Sequence, residues 1–362
     1  MIGRTKERVA HRREFVQRNR WERVFHPVLC IMLAVSSRNS NQNIRKRNPG
    51  TRTDVSPSPT VGSGVGLSNQ SCLNSLLFPI YTPESVGHLD RGLSDILERP
   101  PPSFDKRVKY GPDPQLFAEL RFPVGRGPFP FLYVIHGGFW QSTYDLSHIG
   151  HLCAAFTSKG IITCNLEYRR LGDPGGGWLG TFQDIGLATD HIPEVISSDP
   201  RVDLARTAVI GHSAGGHLAL WLGGRHRIPN ASPLHGAPRN RLGCAVSLAG
   251  VCDLRTAWKQ RLGNGIVTRL MGGTPDQYPD RYDAGSPIEL LPTGTRQVLI
   301  HGSVDDIVPA SQSEKFVERA EQLGEHPTLI KLDGIGHFEL IDPESDAWSP
   351  VVGAVLPLLG LK

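Results

Sequence analysis

No apolar run in these 362 residues reaches the roughly 18 needed to span a bilayer. The longest run in the N-terminal part, His26 to Val35, has only the length of a signal-peptide core, and "AVS" at Ala34–Ser36 loosely suits a cleavage site. Acids lie among the bases before it, and Arg38 and Arg45–Arg47 follow it. A cytoplasmic location is therefore expected, with secretion or anchoring through residues 26–36 as the alternative. Cysteine pairs at metal spacing are missing as well. None of Cys30, Cys72, Cys153, Cys164, Cys244 and Cys252 forms a CxxC, so reduced thiols are expected rather than a zinc site or a disulfide framework.

Phosphate-binding loops are also lacking. "VGSGVGLS" (Val61–Ser68) has alternating glycines, but no strand leads into it and no helix pattern follows. Gly175–Gly177 has no P-loop lysine after it. His148 and His151 have helical i, i+3 spacing without acidic or Cys companions. No metal and no cofactor are expected.

The charge is unevenly placed. Residues 1–54 hold 13 of the 39 Lys/Arg but only 4 of the 35 Asp/Glu, a net +9, which leaves −5 on the remainder. A nucleic-acid-binding body is disfavoured by that split. Residues 36–75 are rich in Ser, Asn, Gly, Pro and Thr. Residues 1–75 therefore read as a basic, disordered extension and linker, and residues 76–362 as one catalytic domain.

From about Val108, apolar strands alternate with amphipathic helices. Strand signals lie at Leu116–Pro123, Phe129–His136, Ile161–Arg169, Thr207–Gly211, Cys244–Leu248, Gln297–His301 and Thr328–Leu332. Helix signals lie at 147–159, 181–197, Ala214–Gly224, Ser311–Leu323 and Asp346–Leu359. This alternation predicts an α/β fold, a mostly parallel sheet covered by helices on both faces.

"GHSAG" at Gly211–Gly215 fits G-x-S-x-G, with a strand ending before it and a helix starting after it. That is the context of a nucleophile elbow carrying Ser213. The Ala214 N–H, at the helix start, would face a developing oxyanion with the helix dipole behind it. Serine needs a base, and the base needs an orienting acid. His337, in "GHF" after the last strand, is the preferred base over His301 and His235. The acid is Asp305 or Asp306. The D-x-x-V-P spacing to Pro309 favours Asp305, and Asp253 is a weaker candidate.

With these pieces in place the chain resembles the α/β-hydrolase superfamily, and within it the kynurenine formamidase (arylformamidase) and small carboxylesterase group. The matching stretches are "HGGFW" (His136–Trp140), "NLEYRR" (Asn165–Arg170), "GHSAGGHLALW" (Gly211–Trp221), "HGSVDDIVP" (His301–Pro309) and "GHFELIDP" (Gly336–Pro343). The resemblance implies a Ser213–Asp305–His337 triad and metal-free hydrolysis of a small-molecule ester or amide through an acyl-enzyme. It also implies oxyanion donors at the amides of Gly138 and Phe139, shaped by Gly137 and joined by Ala214. Phe139 stands where many lipases and esterases have a third Gly, which favours the formamidase-like branch. Trp140, His212 and Trp178 are candidates for the substrate pocket. The competing readings are a prolyl-oligopeptidase-type peptidase, for which the chain has no room for a propeller, and a non-catalytic ligand-binding hydrolase fold. Oligomeric state is not legible.

Overall fold

A computed structural model describes residues 93–362, apart from 237 and 241. The expectations for residues 1–75, the domain start at Leu76, the run at 26–35 and Cys30 and Cys72 lie outside the described residues.

Eight strands form one sheet: β1 (Lys106–Lys109), β2 (Phe117–Arg121), β3 (Phe129–Ile135), β4 (Ile162–Leu166), β5 (Val202–His212), β6 (Cys244–Leu248), β7 (Arg296–Gly302) and β8 (Thr328–Leu332). Their order across the sheet is β1-β2-β4-β3-β5-β6-β7-β8. Only β2 runs against its neighbours; every pairing from β4 to β8 is parallel. The described helices are α1 (Leu93–Glu98), α2 (Gly150–Ser158), α3 (Gly180–Ile196), α4 (Ala214–Gly224), α5 (Leu254–Lys259), α6 (Leu262–Met271), α7 (Pro279–Gly285), α8 (Ser311–Gln322) and α9 (Trp348–Val355).

The continuous apolar run of β3 has a direct structural reason. Successive side chains point to opposite faces of a sheet. Phe131, Tyr133 and Ile135 enter one core with α3 and α4, while Leu132 and Val134 enter a second core with α2 and α9. Both faces are dry, so alternation with polar residues would place polar groups in apolar surroundings. Each fully buried side chain of this size contributes about 1.5–3 kcal/mol relative to exposure.

Cys244–Leu248 and Thr328–Leu332 match the expected strands residue for residue, and the helix at Ala214–Gly224 matches as well. β5 is longer than expected and begins at Val202. Its first half is only partly buried, so it lacks the continuous apolar signal. It pairs with β3 across a bulge, where Pro130 faces Asp203 and Phe131 faces Thr207. Helices α5, α6 and α7, between β6 and β7, were not anticipated. Arg261, Gly263, Asn264 and Gly265 adopt left-handed backbone, which breaks the helical period there. The Asp253 carboxylate caps α5 by accepting from the amides of Arg255 and Thr256, a structural role that removes it as a triad acid. Among the described residues, Cys153, Cys164, Cys244 and Cys252 are free and buried. No helix among them is long and apolar enough to cross a membrane.

His217 ties α4 to the α5–α7 segment, its Nε2 donating to the Gly285 carbonyl at 2.9 Å. Trp221 Nε1 donates to the Ala284 carbonyl at 2.9 Å. Burial pushes the His217 imidazole down to about 4. His148 is pushed down to about 3 by burial first, with His136 adding to the shift. The unfolded chain binds protons at these histidines below about pH 6.5, whereas the folded chain does not, so stability falls as pH falls from there. The melting temperature is expected to decline steadily from pH 7 to pH 4.5. His217→Gln should flatten that decline, and an unchanged slope would contradict the buried neutral imidazole.

Candidate active site

The turn between β5 and α4 holds Ser213 at φ 55°, ψ −118°. Such a conformation costs a side-chain-bearing residue about 1–3 kcal/mol and persists only where the surroundings enforce it. Two glycines make the turn fit. A Cβ on Gly211 would lie 2.0 Å from the Gly215 carbonyl oxygen, and one on Gly215 would lie 2.0 Å from the Ile135 carbonyl oxygen. The Ser213 amide donates to the Leu248 carbonyl at 2.8 Å, anchoring the turn to β6. Its hydroxyl makes no cap hydrogen bond to the helix, so Ser213 is not there as a helix cap. Ser213 is buried, at 3% exposure.

His337 follows β8, and its Nδ1 lies 2.7 Å from Asp305 Oδ2. The carboxylate accepts, so Nδ1 carries the proton and Nε2 is left as the basic nitrogen. Asp305 Oδ1 accepts from the amides of Ile307 at 2.9 Å and Val308 at 2.8 Å. Burial alone would raise this carboxyl. The hydrogen bonds from His301 and His337, the charge of His337 when protonated and the Val308 amide together hold it well below the usual carboxylate range. Asp306 points to solvent. Of the two adjacent acids, Asp305 is the one the structure brings to His337.

The His136–Trp140 loop packs directly on the Ser213 turn. A Cβ on Gly137 would lie 3.0 Å from Ser213 Cβ and 2.9 Å from the His212 carbonyl oxygen. Gly138, Phe139 and Trp140 all have positive φ, at 104°, 51° and 55°. The residues after β4 brace this loop. His136 Nδ1 donates to the Gly137 carbonyl at 2.8 Å, and Nε2 lies 3.1 Å from Glu167 Oε1. Tyr168 Oη donates to the His136 carbonyl at 3.0 Å, and Arg170 pairs with Glu167 at 3.0 Å. The sequence signal for this brace is a Glu directly after a buried strand, in a position where burial demands a partner.

Two pocket candidates take different places from those expected. Trp140 is fully buried in the core and packs edge-on to His217 at 5.2 Å. His212 is 1% exposed and its Nε2 donates to the His337 carbonyl at 3.0 Å. It therefore holds the His337 loop from beneath, and burial followed by the charge of His337 pushes its imidazole well below the usual range. Trp178 is half-buried and packs on Phe182. It lines an open groove of about 590 Å³ with Tyr278 and Arg281, among others. Among the described residues no group of three His, Cys, Asp or Glu is placed to hold a metal ion.

The sheet order, the elbow after β5 and the acid and histidine after β7 and β8 are the α/β-hydrolase fold. A family model described as BD-FAE matches residues 121–320, more than half of the chain. The chain belongs to the BD-FAE family. It is similar to Esterase LipC of Mycobacterium tuberculosis (strain ATCC 25618 / H37Rv), with 26% identity over 246 residues, 66% of this chain and 60% of LipC. It is similar too to the probable isoprenylcysteine alpha-carbonyl methylesterase ICMEL1 of Oryza sativa subsp. japonica, at 25% over 251 residues, 65% of this chain and 57% of that protein. The chain thus spans 60% or less of the length of these two curated relatives. Among solved structures, a truncated carbohydrate esterase from gut microbiota superposes at TM-score 0.61 and 18% identity, covering 72% of this chain and all of that one. The native esterase Est2 of Thermogutta terrifontis superposes at 0.57 and 19%, covering 73% and 94%. At these identities the likeness establishes the fold.

For this BD-FAE chain, exchange of the two adjacent acids separates their roles. Asp305→Asn should reduce kcat for p-nitrophenyl acetate on the order of 10⁴-fold, because the amide favours the wrong His337 tautomer. Asp306→Asn should leave kcat unchanged. Equal effects in steady-state assays would contradict the placement of Asp305.

Proposed function

We propose that the protein is a serine hydrolase that cleaves a small-molecule carboxylic ester or formamide through an acyl-enzyme on Ser213. The observation that carries this reading is the His337 Nδ1–Asp305 Oδ2 contact of 2.7 Å, on the same sheet edge as a serine held in a strained turn. His337 Nε2 takes the Ser213 proton as Oγ bonds to the substrate carbonyl carbon. The amides of Gly138, Phe139 and Ala214 receive the negative charge that develops on the carbonyl oxygen. One such donor is worth about 2.7–4 kcal/mol of transition-state stabilisation. His337 then gives its proton to the leaving oxygen or nitrogen as the bond to the acyl carbon breaks. Water attacks the acyl-enzyme, its proton passes to His337, and the acid leaves as Ser213 regains a proton.

Esterase relatives support the ester reading. The Phe in the third loop position supports extending it to the formamidase-like branch, whose substrates carry a small acyl group. A similarity of 24% to the uncharacterised peptidase YuxL of Bacillus subtilis (strain 168), over 31% of its length, keeps peptides in the substrate panel.

Ser213→Ala should fold with an unchanged melting temperature, lose covalent labelling by a fluorophosphonate probe and lose on the order of 10⁶ in kcat. Wild-type turnover in that variant would end the proposal. A panel of N-formylkynurenine, p-nitrophenyl esters of graded acyl length and a peptide p-nitroanilide should show the highest kcat/KM on acetyl or formyl substrates.

A further inference from the structure

We propose that His301 is a positioning residue for Asp305, making the triad the outer end of a buried chain, Ser313–His301–Asp305–His337. The inference rests on the triad reading above and deepens it.

His301 lies near the end of β7 and is fully buried. Its Nε2 lies 2.8 Å from the Val308 carbonyl oxygen and 3.4 Å from Asp305 Oδ2. Both are acceptors, so Nε2 carries a proton; its hydrogen bond goes to the Val308 carbonyl, and the Asp305 carboxylate lies beside it at a longer charge contact. Its Nδ1 lies 2.8 Å from Ser313 Oγ, at the start of α8. In the neutral ring this nitrogen accepts from the Ser313 hydroxyl. Both ring nitrogens are thus occupied, and the ring cannot turn without breaking a buried hydrogen bond.

The consequence falls on Asp305. Oδ1 is held by two backbone amides, and Oδ2 accepts from His337 Nδ1 with the His301 N–H 3.4 Å away. The carboxylate side chain is fully buried, where an uncompensated charge is costly and each lone pair needs a donor. A Lys or Arg in the place of His301 would also hold the carboxylate. Its positive charge would oppose the imidazolium that forms on His337, and at low dielectric that opposition is strong. His301 places an N–H beside the acid without the fixed charge of a Lys or Arg. The loop from Gly302 to Val308 is pinned at its two ends by the same ring, so the acid's position relative to the sheet edge is set by β7 and α8 together.

The test compares His301→Leu, which removes the donor, with His301→Gln, whose amide N–H can donate in its place. The wild type is first shown to label with the fluorophosphonate probe and Ser213→Ala to be inactive. Given that, His301→Leu should lower kcat about tenfold to a hundredfold with KM unchanged, the range for one lost hydrogen bond to a charged group. His301→Gln should recover most of that loss. A folded His301→Leu with wild-type kcat, or a His301→Gln as impaired as His301→Leu, overturns the role of the donor while leaving the triad intact. An active, probe-labelled Ser213→Ala instead overturns the triad itself. Should His301→Leu not fold, ¹⁵N-histidine NMR of the unaltered chain decides. Nε2 of His301 protonated, with Nδ1 hydrogen-bonded, supports the chain; Nδ1 protonated with Nε2 bare overturns it.

Discussion

A Cβ at position 215 would sit 2.0 Å from the Ile135 carbonyl oxygen, and one at 211 would sit 2.0 Å from the Gly215 carbonyl oxygen. This backbone-on-backbone approach is the constraint from which the site follows. It presses the first turn of α4 against the ends of β3 and β5. Ser213 is forced into its left-handed conformation, and the Gly137 loop is brought to van der Waals contact with it. Three strained residues without the freedom of glycine, Phe139, Trp140 and Ser213, lie within this small region. The well-packed cores on both faces of the sheet supply the stability that holds them there.

Around that contact the polar groups are buried; the Asp305 carboxylate is partnered, while His212 Nδ1 and Ser247 Oγ have no hydrogen-bond partner. Asp305 is held below the usual carboxylate range by two backbone amides and by the histidines beside it, His337 at 2.7 Å and His301 at 3.4 Å. His212 is held neutral by burial and carries the His337 loop through a single hydrogen bond. The chemistry and the architecture therefore share residues. His212 ties the end of β5 to the loop after β8, and His301 ties the loop after β7 to the start of α8.

Much of this was legible in the sequence, for identifiable reasons. The strands at Cys244–Leu248 and Thr328–Leu332 announce themselves as short apolar runs, and the elbow announces itself by Gly-x-Ser-x-Gly between a strand and a helix. That motif offers Ser213 as the nucleophile candidate, and the place after the last strand offers His337 as the base candidate. The choice between Asp305 and Asp306 rested on spacing, and side-chain direction decides it: one carboxylate turns inward to His337 and its neighbour turns to solvent. The α5–α7 segment escaped notice because its left-handed residues interrupt every period before it is long enough to read.

The sequence by itself determined the parallel sheet and the Gly-x-Ser-x-Gly turn, because each depends on local pattern: hydrophobic period and glycine spacing. Tertiary structure decided the rest. It buried Trp140, placed His212 and His301 behind the triad and capped α5 with Asp253. An aromatic next to a glycine pair reads the same whether it faces a substrate or a core. Packing against His217 in the core, which the local pattern does not display, is what distinguishes the two for Trp140.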